Sequence, residues 1–322
     1  MNVKSPETTA GEILLAMRSG CNRTQPVTLT SIDHDKYFLP PEYTQLYYSP
    51  VWADLDTAQR LRYTQLYALR TNEVIMLFER YLVEAILPPI AERLANMQMP
   101  SLRQLVLETL REERDHDAMF VSLNRASRPD LYRAADFFFF PPSPEVRRFV
   151  TTMGWLSRWC AYPLWLLFFI EESSLAMARE LAKLERQHGG NAVESNWLAV
   201  HLEHTHDERR HTLIDRLLFD SCYARRSATT RRLDGWLFSR TLKAMMFPRA
   251  RGAGVRVVEQ LIRDYPELAS LRATMVREIV ALGQNPDFLA SIMSQRLAPR
   301  AWKLFHRCPE LNGLANWLPG YA

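Results

Sequence analysis

His204-Thr-His-Asp-Glu-Arg-Arg-His211 is the stretch on which the fold of this chain turns, and its Glu208-x-x-His211 half has an earlier counterpart in Glu113-Arg-Asp-His116. On a helix, residues three or four apart share a face. Glu113 and His116 therefore point the same way, and Leu105, Val106, Leu110 and Phe120 on that face turn the pair toward a core. Glu208 and His211 repeat the arrangement on a later helix, with His204 one turn upstream on the same stripe. One Glu-x-x-His pair in a helical protein is ordinarily a solvated pair, but two inward-facing pairs ask for a common partner.

Two further acids lie in apolar helical surroundings. Glu79 sits among Ile75, Met76, Leu82, Val83 and Ile86. The adjacent acids Glu171 and Glu172 share one helix. Leu167, Phe168, Ser174, Leu175 and Ala178 favour Glu171, the direction we lean to, while Trp165 and Phe169 favour Glu172, and the pattern leaves both as candidates. A buried carboxylate is costly to ionise, and four around one interior need cations. Helix bundles that hold two metals take one Glu from each of two helices and one Glu-x-x-His from each of the other two. The order here is Glu79, Glu113–His116, Glu171 or Glu172, then Glu208–His211, so the spacing predicts a dimetal bundle. The acids before each ligand Glu, Glu112 and Asp207, are placed to hold a ligand histidine from the facing helix. His201 is either packed or a support for the site; His188, His206 and His306 read as exposed.

The rest of the sequence agrees with an all-α chain of 322 residues. There are 11 glycines, 47% hydrophobic and 24% charged residues, and no strand-type alternation long enough for a sheet. A net charge of +4 gives no reason to expect nucleic acid. Cys21, Cys160, Cys222 and Cys308 lie far apart with no C-x-x-C pair, so we expect neither disulfides nor zinc, and a cytoplasmic setting. Met153 to Ile170 is apolar but is interrupted by Arg158 and closed by Glu171 and Glu172; it reads as a core helix, with no membrane span expected.

Residues 1–50, broken by Pro26, Pro40, Pro41 and Pro50, read as an N-terminal arm with one helix near Glu7–Arg18. Residues 51–322 read as one helical domain, with a metal core over 56–222 and a helical C-terminal part over 223–322. Helices are expected from Asp56 to about Met97, kinked or interrupted at Pro88 and Pro89, and from Ser101 to about Asn124. A third runs over Glu145–Gln187 with a possible break at Pro163, ended by Gly189-Gly190-Asn191, and a fourth from about Ala192 to Cys222.

The segment H-x-x-D-E-x-x-H over His204–His211, together with Glu112-Glu113-Arg-Asp-His116, resembles the di-iron N-oxygenases of the p-aminobenzoate N-oxygenase (AurF-like) family. The resemblance covers about residues 50–225. Glu-x-x-His frameworks are shared by other ferritin-like proteins, and the additional His204 is what narrows the choice. The resemblance implies a ferritin-like bundle with additional C-terminal helices and two iron ions, with manganese as the other candidate metal. Its implied ligands are Glu79, Glu113, His116, Glu171 or Glu172, His204, Glu208 and His211. It further implies O2-dependent oxidation of an amine to hydroxylamine, nitroso or nitro, in natural-product biosynthesis. The amine is either a small molecule or tethered to a carrier protein. We also expect an electron donor and a homodimer. Other di-iron oxygenations, such as C-hydroxylation or desaturation, and ferritin-like iron oxidation are the alternatives. Phe120, Trp165, Phe168 and Phe169 are candidate cavity walls. Arg225, Arg226, Arg231, Arg232, Arg240, Lys243, Arg249, Arg251 and Arg256 form either a solvated basic region or a docking face for an acidic carrier or electron donor.

Overall fold

The computed structural model describes residues 5–18, 27–223 and 226–321; Cys21, Pro26 and Arg225 lie outside them. The helices are α1 (Pro6–Arg18), α2 (Val51–Asp54), α3 (Thr57–Leu77), α4 (Glu84–Asn96), α5 (Pro100–Ser127), α6 (Pro144–Ser157), α7 (Tyr162–Gln187) and α8 (Ser195–Cys222). Beyond them come α9 (Ala228–Met246), α10 (Ala253–Asp264), α11 (Arg272–Ala281), α12 (Pro286–Ile292) and α13 (Pro299–His306). Among the described residues the strand-type pairing amounts to an isolated bridge between Tyr37 and Val193. No helix among them is long and apolar enough to cross a membrane.

The bundle is formed by α3–α4, α5, α7 and α8, with α7 packed along α8 and α5 packed against both α4 and α8. Local chemistry sets where these helices begin. Asp56 and Gln59 form a capping box at the start of α3, each side chain taking the other's backbone N–H. Glu194 caps α8 through the Trp197 N–H. The first turn of α5 is capped from a distance: Glu7 of α1 accepts from the N–H groups of Ser101 (2.6 Å) and Leu102 (3.2 Å). This contact fastens α1 across the bundle.

The breaks differ from the sequence expectation in two places. Pro88 and Pro89, expected to kink or interrupt the long helix, do not interrupt it; both lie inside α4. The irregularity is upstream, where Phe78–Val83 winds as a π-helix. A proline inside a helix lacks an N–H and pushes on the carbonyl four residues back, which here means Glu84 and Ala85, directly after the widened turn. The freed Ala85 carbonyl faces Gly154 of α6, where an added Cβ would stand 2.8 Å from it. The second difference is one of position: the break allowed at Pro163 falls at residues 158–161, which separate α6 from α7, and Pro163 stands in the first turn of α7. Asp234 of α9 holds this corner by accepting from the N–H groups of Ala161 and Tyr162. The end of α7 agrees with expectation, with Gly189 and Gly190 at φ 71° and 84°.

Two large hydrophobic clusters fill the interior. One joins α4 with parts of α5, α7 and α8 and the C-terminal helices. The other joins α3, the distal part of α5, the start of α8, α10 and α11. The layer that separates them is polar, and it contains the acids and histidines singled out above.

Candidate metal centre

The π-helical turn carries Glu79. Such single widened turns occur often at functional sites, because they re-aim one residue without ending the helix. The Glu79 carboxylate reaches His204 Nε2 at 3.1 Å, and the same nitrogen lies 3.1 Å from Glu208 Oε1. His211 Nδ1 is 3.1 Å from Glu113 Oε1 and 3.3 Å from Glu208 Oε1. His116 Nδ1 is 3.5 Å from Glu208 Oε1 and 3.7 Å from Glu113 Oε2. All six of these side chains are buried, with exposures of 2% or less. They form two overlapping groups compact enough for a metal: Glu113, His116, Glu208 and His211, and Glu79, His116 and His204.

Glu171 and Glu172 are buried alike but point to different neighbours. Glu171 lies against the cluster, with Oε2 3.9 Å from His211 Nδ1. Glu172 lies apart from it: its carboxylate accepts from the N–H groups of Arg300 (2.9 Å) and Ala301 (2.6 Å), the first turn of α13. The structure thus gathers seven of the eight candidate residues and turns the eighth outward, to a helix N-terminus.

The rings are held from behind by crossed pairs. His116 of α5 donates from Nε2 to Asp207 of α8 at 3.2 Å. His211 of α8 donates from Nε2 to Glu112 of α5 at 3.0 Å. Because α5 and α8 are antiparallel, each helix supplies one ring and the acid that orients the other. With Nε2–H engaged, each Nδ1 faces the cluster, where giving up its proton to a bound cation would leave a lone pair for the metal. Arg210 joins the two acids, donating from Nη2 to Asp207 at 2.5 Å and lying 2.7 Å from Glu112. Its signal in the sequence is the three-residue spacing from Asp207, which becomes legible only once Glu112 is known to lie opposite.

The charges of the cluster are incompatible without cations. Burial first, then the Glu113 and Glu208 charges, hold the Glu79 carboxyl well above the usual carboxylate range. Burial and the Glu208 charge do the same to Glu171. Burial also opposes ionisation of Glu113 and Glu208, yet neighbouring imidazoles keep both below that range. Burial works against a charged His116, but its bond to Asp207 and the nearby Glu113 carboxylate push it up to about 9. Burial opposes a charged His211 too, yet the Glu113 charge and the bond to Glu112 hold it well above the usual imidazole range.

Among the described residues the inward atoms are also left without hydrogen-bond partners: both Glu113 oxygens, Glu208 Oε1, Glu79 Oε2, His116 Nδ1, His204 Nε2 and His211 Nδ1. Buried polar atoms are rarely orphaned. Carboxylates and imidazoles converging with free lone pairs are the donor set that divalent iron or manganese takes. The residues present therefore fit a two-metal centre.

Around the cluster, Phe120 stands edge-on to His204, with ring centroids 5.0 Å apart. His201 is buried, packs on Phe120 and Trp197, and is driven down to about 3 by burial. Its Nε2 has no hydrogen-bond partner among the described residues. Trp165 lies in a different environment, against Phe219, Tyr223 and Phe238, and Phe168 and Phe169 belong to the hydrophobic core. His188, His206 and His306 are exposed. Asp215, one turn beyond His211, is a buried acid that the sequence reading passed over, although its four-residue spacing continues the stripe.

No curated protein matches the chain. The family model described as P-aminobenzoate N-oxygenase AurF matches residues 24–279, most of the chain, and the protein belongs to that family.

Proposed function

We propose that this protein is an O2-dependent N-oxygenase that oxidises the amino group of an arylamine of the aminobenzoate type, in a biosynthetic pathway. The observation that carries this reading is His204. It adds a third imidazole to the two Glu-x-x-His pairs and lies between Glu79 and Glu208, each 3.1 Å from its Nε2. The proposed ligands are Glu79, Glu113, His116, Glu171, His204, Glu208 and His211, and the proposed metal is iron. Bound there, a pair of ferrous ions supplies the electrons and open positions that O2 reduction requires.

The chain's own residues have three tasks in this scheme. Asp207 and Glu112 keep His116 and His211 in the tautomer that presents Nδ1 inward, and Arg210 balances the two acids. Phe120, Trp197 and His201 pack against the His204 side and exclude water from it. Glu112 forms part of the wall of a cleft of about 90 Å³ between α1 and α5, which gives protons a route from solvent toward His211. Conversion of an amine to a hydroxylamine places one atom of O2 on nitrogen. The other leaves as water, with two electrons and two protons supplied.

The test loads the metal-free protein anaerobically with ferrous iron, counts the metal, then adds p-aminobenzoate, reductant and O2. The expected result is about two irons per chain, and a product whose nitrogen carries one or two oxygen atoms in which 18O from O2 is recovered. His204→Ala is expected to lower both iron content and product. Less than one iron per chain would overturn the metal centre. Full iron content with O2 uptake independent of any amine would overturn the N-oxygenase assignment and favour iron oxidation.

A further inference from the structure

The basic region of the sequence does not form one face. Arg226 is turned into the corner between α6 and α7, pairing with buried Asp234 at 2.7 Å and donating to the Trp159 carbonyl. Arg231 pairs with Glu310, and Arg256 donates to the Phe139 carbonyl. What remains is more informative. Residues 146–170 contain no acid, and over residues 221–258 the sole acid is Asp234, which is consumed inside the corner. Beside this corner, α6 and the loop that follows it leave Trp155 and Trp159 in solvent, 61% and 63% exposed, and α9 leaves Trp236 and Leu233, 55% and 50% exposed. Arg158 is exposed next to Trp159, and Arg232 and Arg240, also exposed, lie one turn to either side of Trp236 on the outer face of α9. The Asp234 bonds to Ala161 and Tyr162 place Leu233 beside the loop that carries Trp159.

Isolated exposed apolar residues need no explanation, but a group of them at one corner does. Tryptophan and arginine are also the residues that most often anchor protein interfaces. We propose that this α6–α9 corner is the docking surface for an acidic electron-transfer protein. The charge is complementary, because a surface with basic groups and no unpaired acid repels a second copy of itself and attracts an acidic partner. The need for a donor rests on the oxygenase reading, since each turnover there consumes two electrons. These 322 residues carry no G-x-G-x-x-G loop and no C-x-x-C pair, so the electrons come from outside them, as two one-electron transfers. The corner is also well placed. It is where α7 begins, and Glu171 lies nine residues along that helix, about 14 Å at 1.5 Å per residue.

The experiment uses an acidic plant-type [2Fe–2S] ferredoxin with its NADPH-dependent reductase as the protein donor. Dithionite with methyl viologen serves as the small one. Two double variants, Trp159→Ala with Trp236→Ala and Arg232→Glu with Arg240→Glu, are compared with the wild type. Each is expected to raise the KM for ferredoxin about tenfold and to leave chemically reduced turnover unchanged. Added salt is expected to weaken ferredoxin binding to the wild type but not to the charge-reversed variant. Ferredoxin binding to the metal-free chain, measured by calorimetry, judges the surface separately from the oxygenase reading, which fails instead if the chain holds no iron. Absence of ferredoxin binding, or equal losses with both reductants, would overturn the proposal. So would binding of anionic phospholipid vesicles that the same substitutions abolish while ferredoxin binding persists.

Discussion

The rim of the bundle and its centre both bury carboxylates, and they treat them in opposite ways. At the rim, Glu73 accepts from the Tyr132 hydroxyl (2.6 Å) and from the N–H groups of Phe138, Phe139 and Phe140. The aromatic run at 137–140 is thereby a backbone clamp around one acid. Glu172, also at the rim, takes the first N–H groups of α13. Six residues after Glu73, the centre holds Glu79 with one oxygen that lacks a hydrogen-bond partner among the described residues, and around it lie Glu113, Glu208 and three imidazoles whose inward atoms likewise lack one. Burial alone therefore does not mark a functional acid. A carboxylate surrounded by N–H donors is part of the scaffold; one surrounded by other carboxylates and imidazole lone pairs is waiting for a cation.

The largest expected effect separates the two classes outright. Glu171→Leu is expected to remove at least one iron per chain and to lower turnover more than about 100-fold. It is also expected to make the metal-free protein more stable, because it deletes a carboxyl that the fold keeps protonated. The pH dependence has a definite sign. A raised carboxyl contributes stability in full below its ordinary pKa of 4.5 and loses it as pH rises. Melting curves of metal-free wild type and variant should therefore converge in acid and diverge toward neutral pH. A variant less stable than wild type at neutral pH would break the distinction.

Glu73→Ala probes the other class. It strips the acceptor from three N–H groups and a hydroxyl, so a loss of about 3 kcal/mol is expected in denaturant unfolding of the protein. Iron content per folded chain should stay that of the wild type. Asp207→Asn lies between the classes, since Asp207 touches a proposed ligand but not the cluster itself. It should keep the fold and weaken iron binding about 10- to 100-fold, read by chelator competition.

The same contrast explains how far the sequence could be read. Glu113–His116 and Glu208–His211 are legible because a three-residue spacing on a helix is a geometric statement that tertiary contacts do not alter. Their crossed supports follow from position as well, since Glu112 and Asp207 precede the proposed ligand acids on antiparallel helices. Glu79 is visible as an acid in an apolar stripe, but the π-helical turn that carries it is not, because no glycine or proline marks it and the prolines stand downstream. The choice between Glu171 and Glu172 is invisible for a different reason. Helix α7 is covered by the bundle on one side and by α9 and α13 on another, so apolar residues surround both directions and periodicity cannot separate them. Only knowledge that α13 begins at Pro299 assigns Glu172 an occupation.

Glu172→Gln gives the smallest effect and the sharpest test of that assignment. Glutamine keeps one carbonyl oxygen, so it still accepts from Arg300 N–H or Ala301 N–H, but it loses the second acceptor and the negative charge at the start of α13. Burial holds the Glu172 carboxyl above the usual range while the two N–H groups pull it down, so its charge is only partly favoured in the folded chain and the net cost of replacing it is about 1 kcal/mol. A fall in melting temperature of a few degrees, about 2–4 °C, is expected, together with faster hydrogen exchange in α13. Iron content and the spectrum of the ferrous protein should not move. A metal deficit in Glu172→Gln as large as that in Glu171→Leu would mean that the two acids exchange places when metal binds. The division between scaffold and ligand carboxylates would then hold only for the metal-free chain.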